Sequence, residues 1–137
     1  MDSKKIELSK YRYSLAMEAL DDANSMFKKG SYRATMNRSY YAAFYAINAI
    51  LALEEIGFKK HKSVVGHFNK EYVAKDIFPK ELGKRVNQLK DIRETGDYTD
   101  FFVVTKEEAE VQLETIEWLI PLIKEYLTKN GLIEGQL

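Results

Sequence analysis

From Tyr40 to Leu53 the chain reads Tyr-Tyr-Ala-Ala-Phe-Tyr-Ala-Ile-Asn-Ala-Ile-Leu-Ala-Leu, apolar or aromatic at every position except Asn48. Wound into a helix, this stretch has no polar face to turn to water. A helix that is apolar all round must be covered all round. With 137 residues in the chain, two arrangements satisfy that demand. The helix occupies the centre of a helical bundle, or it gives part of its surface to a second copy. Ala42, Ala43, Ala46 and Ala49 are small enough to let neighbouring helices approach closely. This segment is expected to be the most buried in the protein.

The rest of the chain also repeats at helical spacing. Between Lys4 and Lys28 the apolar stripe is Leu8, Leu15, Ala16, Ala19, Ala23, Met26 and Phe27, closed by Gly30. Ser31 is placed to cap the second helix, which should run to about Glu55 and stop at Gly57. Ser63 is expected to cap a short helix with Val64, Val65, Phe68 and Tyr72 inward. Pro79 suits the first position of a fourth helix, with Leu82, Val86, Leu89 and Ile92 on one face. Thr105-Lys106-Glu107-Glu108 has the form of a capping box, in which Thr105 and Glu108 satisfy each other's backbone N–H groups. The helix it opens should bury Ala109, Leu113, Ile116, Ile120, Ile123 and Leu127, and end near Gly131. Pro121 inside it should cause a kink or a local break. Phe101-Phe102-Val103-Val104 is the only β-like run, too short to found a sheet. The fold expected is all-α, in one domain spanning residues 1–137.

Composition removes several functions. There are no cysteines, so no disulfide framework, thiolate nucleophile or zinc-thiolate site is available. The 21 basic residues balance 21 acidic ones; no whole-molecule basic footprint for nucleic acid exists, although a local patch remains possible. The longest apolar run is far short of a membrane span, and no charged-then-apolar leader opens the chain. A cytoplasmic protein with no membrane association is expected.

Chemistry concentrates at Arg93-Glu94-Thr95-Gly96-Asp97-Tyr98. A guanidinium fork pairs with phosphate oxygens in a bidentate way, and carboxylates and a phenol stand beside it. Gly96 could take a left-handed conformation that ends the helix and folds Asp97 and Tyr98 back beside Arg93. Arg93, Glu94, Asp97 and Tyr98 would then share one polar surface. Each residue also has a plainer use. An arginine in the last turn of a helix complements its dipole, and Arg38 on a buried helix could serve an ion pair or support a cleft. His61, in the basic run Lys59-Lys60-His61-Lys62, could help hold a phosphate at a helix start or simply be solvated. Asp97 and Asp100 with Glu94 could suggest a metal site, but loop aspartates mostly cap turns. No metal or other cofactor is expected.

Three blocks, Asn37-Arg38-Ser39-Tyr40-Tyr41-Ala42-Ala43-Phe44, His61-Lys62-Ser63-Val64-Val65-Gly66-His67-Phe68, and Arg93 followed by Gly96-Asp97-Tyr98, resemble the HEPN superfamily, the higher eukaryote and prokaryote nucleotide-binding domains. The likeness runs from the first helix to the capped last one and is nearest to small stand-alone prokaryotic members. It implies an antiparallel four-to-five-helix bundle, often a homodimer in which both arginine segments line one groove. Many such relatives are metal-independent ribonucleases, and some are toxins encoded beside a minimal nucleotidyltransferase antitoxin. By that resemblance Arg93, Glu94 and Tyr98 are catalytic candidates. Arg93, Asp97, Tyr98, Arg38, Asn37 and His61 are candidates for holding nucleotide or RNA.

One departure matters. Active relatives carry a histidine after the arginine and a gap of four to six; here Tyr98 stands at that place. Histidine exchanges protons near neutral pH, whereas tyrosine, with an ordinary pKa near 10, does so poorly. Ribonuclease activity is therefore expected to be weak or lost, while Tyr98 could still hydrogen-bond a phosphate or stack on a base. The alternative is a non-catalytic helical module that binds a nucleotidyltransferase partner.

Overall fold

The computed structural model describes residues 3–57, 61–98 and 103–132, excluding the side chains of 61–63 and 96–98. Five α-helices follow one another: α1 Ser3–Lys28, α2 Tyr32–Leu53, α3 His61–Phe68, α4 Lys80–Tyr98 and α5 Lys106–Lys129. A π-helical turn, Asn69–Val73, continues directly from α3. No strand occurs among the described residues, so the all-α expectation holds.

α2 is the centre. It packs on each of the other four helices, most extensively on α1 and then α5. Ala42, Ala46, Ile47, Ala49, Ile50 and Leu51 have no exposed surface. Tyr41, Phe44, Tyr45 and Asn48 form a half-buried stripe whose aromatic rings pack at the edge of this core. The small side chains allow the close approach expected of them: Ser9 Oγ donates to the Ala49 carbonyl at 2.7 Å, and Arg12 Nη1 to the Asn48 carbonyl at 3.1 Å. With Asp22 meeting Arg38 further along, α1 and α2 form an antiparallel hairpin. The inward stripe of α1 is Tyr13, Ala16, Ala19 and Ala23, while Leu8 is exposed, contrary to its place in the expected stripe.

Helix ends explain most of the path. α1 closes with Gly30 at φ +78°, Ser31 N–H bonding Met26 C=O at 2.9 Å and Gly30 N–H bonding Phe27 C=O at 3.0 Å. This double bond pattern is the Schellman cap that a left-handed glycine permits. Ser31 stands at the start of α2, but its side chain makes no capping hydrogen bond. At the other end, the residue that turns left-handed is Glu55 (φ +59°), two positions before the expected Gly57. Asp76 (φ +61°) does the same after the π-helical turn. Both close with the same six-to-one bond, Ile56 to Leu51 and Ile77 to Tyr72, each at 2.8 Å.

Ser63 lies within α3, not at its cap. Pro79 precedes α4 by one residue, its carbonyl accepting from Gly83 N–H at 3.2 Å. Thr105 and Glu108 form the expected capping box, with Thr105 N–H to Glu108 Oε1 at 3.0 Å and Glu108 N–H to Thr105 Oγ1 at 3.1 Å. α5 runs unbroken past the exposed Pro121, so no local break forms there. All six apolar positions expected to be inward on α5 are buried. Tyr72 and Tyr126 both donate to Glu54 Oε1 just beyond α2, tying the π-helical turn and α5 to the end of the central helix.

Candidate functional site

Arg93 is not in the last turn of its helix. α4 continues through Gly96 to Tyr98. The expected turn that would fold Asp97 and Tyr98 back beside Arg93 is therefore not formed. A glycine permits a left-handed stop but does not impose one. The side chains of Asp97, Tyr98 and His61 lie outside the described residues. Glu94 is half-buried next to Arg93.

What the fold does bring together is Arg93 and the start of α2. Arg93 Nη2 donates to Tyr41 Oη at 2.9 Å. Its guanidinium carbon lies 4.8 Å from the Tyr40 ring centroid and 5.1 Å from that of Tyr41. Arg38, one turn before Tyr41, places its guanidinium carbon 5.4 Å from the same ring. Arg38 Nε also faces Asp22 of α1, 3.9 Å away. Two cations from different helices thus contact one phenol ring. Stacking of this kind contributes about 0.5–2 kcal/mol per contact and fixes the plane of each guanidinium.

Arg38 is neither fully buried nor in a tight pair: its side chain is 33% exposed, and Asp22 is more exposed still. Of its two expected uses, support of a cleft fits better than a buried ion pair. Asn37 sits beside it, and both line an open cavity of about 980 Å³ at the α1–α2 turn.

The acid–base character of the cluster is limited. Burial, opposed in part by Arg93, pushes the Tyr40 phenol up to about 12, with small contributions in the same direction from Tyr41 and Glu94. It keeps its proton throughout the neutral range and acts as a ring and a hydrogen-bonding group. The described histidine side chain, His67, packs edge-on against Tyr72, 5.8 Å between centroids. Among the described side chains, the cluster sets two guanidiniums against aromatic rings.

Sequence reasoning missed Tyr40, Tyr41 and Asp22 as parts of this site. A signal existed for two of them. Arg38 and Tyr41 are three apart, on one helix face. Asp22 and Arg38 stand at equal distances before and after Gly30, so an antiparallel hairpin pairs them.

The HEPN domain model matches residues 9–126 of the chain. A UPF0332 protein from Thermotoga maritima is 36% identical, covering 89% of this chain and 98% of the relative. Two proteins from Methanocaldococcus jannaschii, each named "Putative toxin", are 30% identical. One match covers 88% of this chain and 82% of the relative; the other covers 82% and 84%. The chain belongs to the HEPN family. No described helix is long and apolar enough to cross a membrane.

Proposed function

We propose that this chain is a toxin-type HEPN protein that holds RNA or a nucleotide on Arg93 and Arg38, beside a minimal nucleotidyltransferase partner, with ribonuclease activity weak or lost. The observation that carries the reading is the pair of guanidiniums stacked on Tyr41. Positive charge interleaved with aromatic rings is how proteins hold single-stranded nucleic acid without reading a sequence. The names of the two archaeal relatives support the toxin role. Glu94, Asp97 and Tyr98 complete the proposed site on the last turns of α4.

Loss of cleavage follows from the groups at hand. General acid–base catalysis needs a group that titrates near the working pH. Tyr98 occupies the histidine position, and Tyr40 holds its proton even more firmly than an ordinary phenol. Incubated with mixed single-stranded RNA without metal, the wild-type protein should cut little. Tyr98→His should raise the rate by at least about tenfold, since a placed acid–base group is worth roughly 10²–10⁴-fold. Efficient cutting by the wild type would defeat the loss-of-catalysis argument.

The proposal includes a homodimer. The half-buried stripe Tyr41, Phe44 and Tyr45 adjoins Arg93, and a second copy against it would set both arginines along one groove. Phe101 and Phe102 lie outside the described residues. Light scattering at micromolar concentration should return about twice the chain mass. A clean monomer would remove the shared groove from the account.

A further inference from the structure

The open cavity at the α1–α2 turn is separate from the Arg93 stack but shares a wall with it. Asp22, Met26, Tyr32, Arg33, Asn37 and Arg38 line a wide-open depression of about 980 Å³. Arg38 is the shared residue: it borders the cavity, and its guanidinium lies against the Tyr41 ring whose phenol receives Arg93. Both cations contact the same phenol ring.

The lining has two characters. Tyr32 and Met26 offer an aromatic ring and an adaptable apolar chain. Tyr32 is half-buried and held against Phe27, 5.6 Å between centroids. Asn37 brings both an amide donor and an amide acceptor, Asp22 a further acceptor, and the two arginines leave the lining net positive. A lone phosphate would leave the apolar wall unused. An apolar side chain would leave the amide and the guanidiniums uncompensated. A nucleobase attached to a phosphate uses both, with its ring on the apolar wall, its polar edge at Asn37 and its anion at Arg38.

We infer that this cavity is a base pocket, in which a nucleobase of a single-stranded RNA stacks at Tyr32 and meets Asn37 while the adjoining phosphates lie on Arg38 and Arg93. The inference rests on the RNA-binding reading given above and adds to it a base-holding wall, Tyr32 and Asn37, next to the Arg38 that both share.

The test compares a short fluorescein-labelled single-stranded RNA with a labelled abasic ribose-phosphate strand of equal length and charge. Anisotropy titrations at one salt concentration would be run on the wild type, Asn37→Ala, Tyr32→Ala and Arg93→Ala. RNA should bind the wild type more tightly than the abasic strand. Tyr32→Ala should weaken RNA binding at least roughly 5-fold, the worth of a stacked base, and Asn37→Ala roughly 2- to 10-fold, the worth of a hydrogen bond, neither affecting the abasic strand. Arg93→Ala should weaken both. Asn37→Ala provides the answer should Tyr32→Ala disturb the turn. If both pocket variants bind RNA as the wild type does while Arg93→Ala does not, the base pocket is refuted and the phosphate site stands. If the wild type binds neither strand, both readings fall. A mixture of 5′-mononucleotides that displaces RNA from the wild type, where ribose 5-phosphate does not, would confirm the pocket and show that it also takes free nucleotides.

Discussion

Phe68→Ala should lower the unfolding free energy by about 3–5 kcal/mol, the usual cost of removing a fully buried phenylalanine and leaving its cavity. Phe68 has no exposed surface and sits where α3 passes into the π-helical turn. Its ring lies 5.2 Å from that of Phe78 and 6.0 Å from that of Tyr72. Both of those rings contact Tyr126 of α5 at 5.7 Å. Phe68 therefore joins α3 to the π-helical turn and the segment before α4, and through their rings to α5. Domains are stable by only about 5–15 kcal/mol in total, so the variant should approach the limit of folding. Urea unfolding followed by circular dichroism measures the loss. A change below about 1 kcal/mol would mean that the aromatic cluster is not packed as described.

Gly83→Ala should destabilise, against the ordinary preference of helices. In an exposed helix interior the change would gain up to about 1 kcal/mol. Gly83, however, is where α4 meets the π-helical turn. A Cβ there would come 2.7 Å from Asn69 Oδ1 and 2.7 and 2.8 Å from the two γ-methyl groups of Val73. The Asn69 amide can swing aside, but Val73 is β-branched, buried and stiff at χ1. Overpacking of this sort costs roughly 1–3 kcal/mol, which exceeds the helical gain. A net loss of up to about 2 kcal/mol is expected for alanine and a larger one for Gly83→Val. Thermal unfolding decides the sign. A raised melting temperature for Gly83→Ala would show that α4 does not approach the turn so closely.

The helices were legible because their signals are local. Gly30 ends α1 by the conformation that glycine favours, and Thr105 with Glu108 opens α5 by hydrogen bonds within four residues. The apolar circle of α2 pointed to the centre because burial on all sides has few geometric solutions. Features made by tertiary context were not legible. Glu55 and Asp76 turn left-handed without being glycine, because the six-to-one bonds and the packing beyond them outweigh a modest backbone cost. The π-helical turn fits the close approach of Gly83, which lies on another helix. Gly96 stayed helical, so the local turn expected to gather the site never formed. Arg93 instead finds Tyr41, 52 positions earlier in the chain, a pairing that only the antiparallel packing of α4 on α2 creates.

The central claim is that Arg93 is a ligand-holding residue and not only a brace for Tyr40 and Tyr41. Fluorescence anisotropy of a labelled single-stranded RNA with wild type, Arg93→Lys and Arg93→Ala separates the two. Lysine keeps the charge but loses the planar fork. Affinity should fall in the order wild type, lysine, alanine, with alanine losing roughly 1–3 kcal/mol, as for a charge-assisted phosphate contact. Circular dichroism must show all three folded. Equal RNA affinity in the three folded proteins would contradict the account, and would leave the chain as a non-catalytic helical module for a nucleotidyltransferase partner.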